Sequence, residues 1–482
     1  MSPEIPACQP PPAEPGVTTS HTRFDAIVIG TGQAGPALTA RLAKAGMKVA
    51  VVERARFGGS CVNTGCTPTK TLVASAYAAH LARRAAELGV VLGAGTEQVK
   101  VDMQRVKARK DAIVADFTQG VERSLRKLPN CTVIQGHARF TSPRTVSAGG
   151  QLLKAERIFV DVGARPAVPE MPGLGELDYL TSSSMMDVDF LPPHLVIVGG
   201  GYVGLEFGQM YRRFGSEVTI VEMAPRLLPR EDEDVSAAVA DILEREGVQL
   251  RLGAKCIRVA AEDDGIAVGV ACESGAPETR GSHLLLAVGR RPNTDDLGLP
   301  DAGVAQDPQG FIVVDDQLRT NVPGIWALGE CNGRGAFTHT AYNDFEIVAA
   351  NLLDGEARRV GDRIPASALF IDPPLGRAGM TAAEARRAGR PVLVGHRPMT
   401  KVSRAIEKGE TLGFMKVLVD AETKEILGAA ILGTGGDEAV HCVLDVMAAK
   451  APYTVLQRAV HIHPTVAELI PTVLGQLEPL KE

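Results

Sequence analysis

Apolar positions along the chain gather into short runs, each closed by a glycine-rich turn and followed by a stretch with helical spacing. Phe24 to Ile29 is one such run, interrupted only by Asp25, and Leu195 to Val198 is another. Runs of this length and composition predict strands. The first leads into Gly30-Thr31-Gly32-Gln33-Ala34-Gly35, a helix to about Ala45, a stop at Gly46, and a strand from Lys48 to Val52 that meets Glu53. The second leads into Gly199-Gly200-Gly201-Tyr202-Val203-Gly204, a helix to about Phe214, a stop at Gly215, and a strand from Glu217 to Val221 that meets Glu222. Between the copies, Thr71 to Leu125 reads as long helices. Strand character returns at Arg157 to Val162 and Leu284 to Val288, before the turns Gly163-Ala164-Arg165-Pro166 and Gly289-Arg290-Arg291-Pro292. From about Ala366 the texture changes to strands at Lys416 to Val419 and Ile426 to Leu432 and a helix at Asp437 to Lys450.

The two copies are an internal repeat of strand, Gly-x-Gly-x-x-Gly, helix, strand, acid. A lone glycine motif is weak, but this context is the one a dinucleotide requires. The first glycine permits the tight turn, the second lets backbone approach a pyrophosphate, and the third lets helix and strand pack closely. The helix start offers unpaired N–H groups to the phosphates. Glu53 and Glu222 each stand 18 residues past the last glycine of their turn, where a carboxylate can accept ribose hydroxyls. The competing reading is two glycine turns used only for packing. The pattern predicts an α/β protein with two Rossmann-like dinucleotide-binding domains and a C-terminal α+β domain. The second dinucleotide unit is inserted within the first, which resumes near Pro292.

Composition narrows the function. The 482 residues suggest about three domains. A net charge of -6 and 4% aromatic residues exclude a basic, base-stacking nucleic-acid surface. No apolar run reaches the ~18 residues that span a bilayer. Residues 1–22 are Pro-rich and lack the basic start and apolar core of a secretory signal, so they read as a disordered tail and the protein as cytoplasmic. Of eight cysteines, only Cys61 and Cys66 are close in sequence. In a reducing compartment such a pair is more often catalytic or metal-binding than structural.

That pair lies in Gly58-Gly59-Ser60-Cys61-Val62-Asn63-Thr64-Gly65-Cys66-Thr67-Pro68-Thr69-Lys70. The spacing lets a loop or a distorted first helical turn close a disulfide. Cys66 precedes an expected helix start, and both the helix N-terminus and Lys70 favour a thiolate. Zinc would need two further ligands, and no second close Cys or His pair has that spacing. An inert pair is the remaining alternative.

The segment resembles the active-site motif of the class I pyridine nucleotide-disulfide oxidoreductases, which include lipoamide dehydrogenase, glutathione reductase and mercuric reductase. The resemblance runs from Phe24 to about Leu474. The wording Gly-Cys-Thr-Pro-Thr-Lys is closest to the mercuric-reductase-like branch and to reductases tied to oxidant or copper stress. It implies FAD on the first repeat, with Gly30, Gly32, Gly35, Glu53, Gly59 and Gly163, and NADH or NADPH on the second, with Gly199, Gly201, Tyr202, Gly204, Glu222 and Gly289. The implied divisions are an FAD-binding domain at 23–168 and 292–362, an NAD(P)-binding domain at 169–291, and a dimerisation domain at 363–482. Cys66 would be the thiolate under the flavin and Cys61 the interchange thiol facing a disulfide substrate. Lys70 resembles the lysine beside the flavin, paired with Glu206, and Tyr202 the tyrosine that moves when nicotinamide enters. Spacing alone leaves Lys70 and Glu206 open as solvated helix charges, and Tyr202 as a half-buried core residue.

Two further segments carry the resemblance. Thr320 to Glu330 is similar to the second FAD motif, which usually ends in Asp. Here it ends in Glu330, followed by Cys331; a carboxylate one methylene longer can still accept the ribityl hydrogen bond. His461-Ile462-His463-Pro464-Thr465-Val466-Ala467-Glu468 resembles the motif in which a histidine, here His463 rather than His461, is the acid/base for thiol interchange and Glu468 orients it. In a homodimer this histidine would serve the partner chain's cysteines. The competing reading is a capping box, Thr465-x-x-Glu468, opening the last helix. No cysteine follows Cys442, so the likeness to mercuric reductases does not extend to their C-terminal cysteine pair. The resemblance thus implies a disulfide reductase. A Hg(II) or Cu(II) reductase using the same dithiol is the alternative, and a redox-sensing flavoprotein without turnover a third. Glu222 favours NADH, and Arg226 could partly offset this.

Overall fold

The structure is a computed structural model that describes residues 21–93, 99–262, 265–271 and 277–481. The chain forms two compact units. The first comprises the chain up to Asn63, Asp116–Arg165 and Arg291–Gly361. Its centre is a five-stranded parallel sheet in the order Ile325–Ala327, Arg157–Val160, Ala26–Ile29, Val49–Glu53, Cys131–Gln135. Every residue of Ala26–Ile29 and Val49–Glu53 is buried, which explains their lack of alternation: both faces of a parallel sheet are covered. On one face the helix Gly35–Lys44 packs Leu38 and Leu42 with Val28, Val51 and Phe159. On the other, Ile27 and Ile158 join Phe140, Val146 and Leu153. Phe140, Val146 and Leu153 belong to a separate four-stranded sheet that begins with His21–Arg23. The expected tail therefore ends earlier than the sequence suggests. His21 and Thr22 pair with Leu152 and Leu153, and the rest of that expectation lies outside the described residues.

The second unit comprises Thr64–Ala115, Pro166–Arg290 and Asp362–Glu482. It repeats the same architecture: a five-stranded parallel sheet ordered Leu180–Thr181, His283–Leu286, His194–Val198, Glu217–Val221, Gln249–Arg251. The two repeats read from sequence thus occupy equivalent central places in two sheets. The unit also holds a six-stranded antiparallel sheet, Ala366–Leu369, Leu375–Gly379, Ile426–Leu432, Phe414–Asp420, Val392–Pro398, Glu478–Pro479. The helix Gly436–Ala448 lays Val440 and Val443 on Met415, Val417 and Ile431 of this sheet. Its strand Phe414–Asp420 is longer than expected and wholly buried. The polar residues that masked its extent are paired: Lys416 with Asp232 at 2.8 Å, and Asp420 with Arg390 at 2.9 Å.

Candidate active site

In the first unit the turn after Ala26–Ile29 is the glycine turn expected to cradle phosphates, and it is closely packed. Gly30 has φ +102°, and a Cβ there would lie 2.2 Å from the Asp161 carbonyl oxygen. A Cβ on Gly35 would lie 2.4 Å from the Gly30 carbonyl oxygen, so the helix and strand touch only because both positions are glycine. Glu53 ends its strand buried, with Oε2 accepting from Thr31 N (3.1 Å) and Thr31 Oγ1 (2.6 Å) and Oε1 from Ala55 N (2.9 Å). Gly59, at φ +62°, packs its Cα side against Gly32; a Cβ would meet the Gly32 Cα at 2.8 Å.

That contact anchors a helix that the sequence did not reveal, Gly59–Asn63, which carries the half-buried Cys61. It is only five residues long, and a side chain closes it: Asn63 Nδ2 donates to the carbonyls of Phe57 and Gly59, both at 2.9 Å. Glu330 is half-buried in the turn Gly329–Asn332. Behind it the buried carboxylate of Asp344 accepts from Gly329 N and Asn332 Nδ2, both at 2.9 Å. Cys331 is fully buried, which pushes its thiol up, with Asp161 adding to the effect.

The second unit repeats the cradle. Gly199 has φ +119° with a Cβ position 2.4 Å from the Ala287 carbonyl oxygen, and Gly204 would clash with the Gly199 carbonyl. A Cβ on Gly201 would meet nothing within 4 Å, which leaves open the approach that a pyrophosphate needs. Glu222 is placed like Glu53: Oε2 accepts from Gly200 N at 2.6 Å and Oε1 from Ala224 N at 2.7 Å. Arg226, a candidate to offset that charge, is engaged with Glu233 at 3.0 Å and the carbonyls of Pro229 and Glu231.

Cys66 is exposed and is the first residue of the helix Cys66–Arg84, rather than just preceding it. One turn on, Lys70 Nζ lies 2.7 Å from Glu206 Oε2. The Glu206 side chain is only 6% exposed, so these are not the solvated helix charges that spacing allows. Phe370 holds both partners: its N–H donates to Glu206 Oε1 at 3.0 Å, and its ring lies 4.7 Å from Lys70 Nζ. Tyr202 opens the helix Tyr202–Phe214 and its hydroxyl meets Ser367 Oγ at 3.1 Å and Glu231 at 3.4 Å. Burial, and then the Glu231 charge, push the phenol up to about 12. Glu231 is itself paired with the buried Arg377 at 2.8 Å.

Near the C-terminus His463 is exposed, and its Nδ1 lies 3.0 Å from both oxygens of Glu468. Half of the capping box is also present, since Glu468 N donates to Thr465 Oγ1 at 3.2 Å. The Glu468 carboxylate is turned to His463. Lys70 with Glu206, Glu222 with its two amides, and His463 with Glu468 are thus three hydrogen-bonded groups in this unit. Among the described residues no cluster of three or more His, Cys, Asp or Glu side chains is arranged to hold a metal ion. None of the described helices is long and apolar enough to cross a membrane.

The sequence model described as pyridine nucleotide-disulphide oxidoreductase matches residues 24–344, and its dimerisation domain matches residues 365–474. The chain belongs to this family. It is 36% identical over 458 residues to the probable pyridine nucleotide-disulfide oxidoreductase RclA of Escherichia coli, covering 92% of this chain and 97% of that protein. It is 34% identical to a dihydrolipoyl dehydrogenase of Thermus scotoductus (92% and 95% covered) and 31% identical to a mercuric reductase of Lysinibacillus sphaericus (88% and 77% covered). The structure of RclA, described as an HOCl-induced flavoprotein disulfide reductase, superposes with a TM-score of 0.85 at 34% identity, over 94% of this chain and 99% of that one. A Cu(II) complex of RclA matches equally well, with a TM-score of 0.85.

Pyridine nucleotide-disulphide oxidoreductases use FAD and a pyridine nucleotide, and they act on sulfur groups. The chain is such an oxidoreductase, with the α/β architecture and the dimerisation domain read from its sequence. In the first cradle the Cβ positions of Gly30, Gly32 and Gly35 are all filled by protein atoms, the close helix–strand packing that a dinucleotide-binding turn uses. Three residues of this family member escaped the sequence reading: Phe370, Arg377 and Asp161. Asp161 carried a signal, an acid inside the apolar run Ile158-Phe159-Val160-Asp161-Val162 that leads into a glycine turn.

Proposed function

We propose that the chain is an NADH-dependent disulfide reductase that passes electrons through FAD to Cys61 and Cys66 and on to a disulfide substrate. One observation carries this reading: the helix bearing Cys61 starts on Gly59, which packs directly on Gly32 of the FAD cradle. FAD is assigned to 23–168 with 292–362, the nicotinamide nucleotide to 169–291, and dimer contacts to 363–482. When bound, FAD supplies a two-electron carrier between the nicotinamide and the thiols. Tyr202 covers the nicotinamide entrance, and Gly163, Gly289 and Glu330 line the cofactors. The Lys70–Glu206 pair, braced by Phe370, holds a fixed positive charge for the flavin. At the start of its helix Cys66 is favoured as a thiolate.

The interchange steps balance without any further reagent. The Cys61 thiolate attacks one sulfur of the substrate disulfide, forming a mixed disulfide, and the leaving thiolate takes a proton from His463. The Cys66 thiolate then attacks the Cys61 sulfur, restoring the Cys61–Cys66 disulfide and releasing the second substrate sulfur as a thiolate, which takes its proton from water. Glu468 keeps His463 oriented through the contact of its carboxylate with Nδ1. Its partner in this scheme is the other chain of a homodimer. The exposed apolar residues Val460 and Ile462 beside His463 suit such a contact. Cytoplasmic residence, where thiols stay reduced, belongs to the same reading.

A second reading has its own support. RclA has been captured as a Cu(II) complex, and a dithiolate suits soft or borderline ions. NADH oxidation measured with a panel of disulfides and with Hg(II) and Cu(II) salts separates the two. Disulfide-dependent turnover that falls in His463→Ala supports the disulfide reading. Turnover with metal salts alone, indifferent to His463, supports the metal-ion reading.

A further inference from the structure

Asp161 follows the strand Arg157–Val160, as the one polar residue of Ile158 to Val162, and its backbone N–H continues the sheet by donating to Ile29 O at 2.8 Å. Its side chain is buried, 5% exposed, and points under the FAD cradle. Oδ2 accepts from Gly35 N, the first residue of the cradle helix, at 2.8 Å. A Cβ on Gly32 would lie 2.9 Å from Oδ2, and a Cβ on Gly329, at the end of the second FAD motif, 2.9 Å from Oδ1. One carboxyl group therefore touches three glycines from two separated motifs. We propose that Asp161 is a positioning residue for FAD, tying the start of the cradle helix to the Gly329 turn, and that it does so only as an uncharged acid. The inference rests on FAD occupying this cradle.

The charge state follows from the surroundings. The charged groups that face Asp161 are Glu53, from the strand Val49–Glu53 two places along the sheet, and Asp344, from the helix Thr338–Ala349; the thiol of Cys331 lies on the turn Gly329–Asn332. The cradle helix contributes only its Gly35 N–H. Burial, then Asp344 and Glu53, push the carboxyl up to about 8 against the pull of that N–H. An ionised Asp161 would also face the two negative charges of a bound pyrophosphate, at the helix end that should attract them. FAD binding and Asp161 ionisation are thus opposed, and FAD retention should weaken as pH rises through about 8. Neutral Asp161 still accepts the Gly35 hydrogen bond, so the tie is kept where the charge is absent.

The test is FAD release from diluted holoenzyme, read as free flavin fluorescence at equilibrium from pH 7 to pH 9. With a single opposed ionisation near pH 8, wild type should hold FAD about tenfold more weakly at pH 9 than at pH 7. Asp161→Asn keeps the acceptor and cannot ionise, so its retention should stay level. Asp161→Leu has no acceptor for Gly35 and should lose FAD at both pH values. A level wild-type profile, or the same fall in Asp161→Asn, overturns the proposal; so does an Asp161→Leu protein that retains FAD like wild type. Failure of the FAD reading itself looks different, because the purified protein would then bring no flavin at any pH.

Discussion

At the residue scale the structure is most informative where two acids repeat one geometry. Glu53 and Glu222 each use one oxygen for an amide of the glycine turn and the other for an amide two residues on. Sequence spacing sets where both acids fall, because their distance from the glycines is fixed by one helix and one strand. It could not foretell that Arg226 is already engaged with Glu233 and two carbonyls. A 2′-phosphate would meet Glu222 without that offset. NADH should therefore be preferred over NADPH by at least about tenfold in kcat/KM, equivalent to ~1.4 kcal/mol. Comparing the two nucleotides checks this, and a tenfold preference for NADPH contradicts it. Phe370 was not legible, because its role depends on a ring and an N–H arriving from a strand end 300 residues away from Lys70. Such contacts leave no periodic trace.

At the element scale, continuous apolar strands and glycine-closed helices were readable because burial on both faces removes alternation. The Gly59–Asn63 helix was hidden because it is short and closed by the Asn63 side chain instead of by a hydrophobic stripe. The helix Tyr202–Phe214 shows a cost that sequence also hides. Arg213 on it is buried, 5% exposed, and is held by Glu246 and Asp372, both at 2.7 Å. Removing one member of a buried pair leaves the other charges without compensation. Arg213→Ala should therefore lose about 3–5 kcal/mol of stability in chemical denaturation. The flavin spectrum of the folded fraction should not change. A loss below about 1 kcal/mol, the value of an exposed pair, would contradict the assignment.

At the scale of the whole molecule, the two dinucleotide-type repeats and the C-terminal antiparallel sheet were legible from the order of motifs. The first point where the chain passes between units, between Asn63 and Thr64, was not. The proposed histidine lies within residues 365–474, which match the family's dimerisation domain, and the account builds the site from two chains. His463→Ala should lower disulfide turnover about 10²–10⁴-fold while leaving flavin reduction by NADH nearly unchanged. Co-expressed His463→Ala and Cys61→Ser chains should regain activity in mixed dimers, which contain one complete site. Verified mixed dimers that stay inactive would instead leave Thr465 and Glu468 as a helix cap alone. The central claim, that electrons rest on Cys61 and Cys66, is tested most directly by anaerobic reductive titration followed by absorbance. The first two electrons should open the disulfide and leave the flavin oxidised, with a long-wavelength band from the Cys66 thiolate. That band should persist in Cys61→Ser without reduction and be missing in Cys66→Ser. Bleaching of the wild-type flavin by the first two electrons, with no long-wavelength band, would contradict the account.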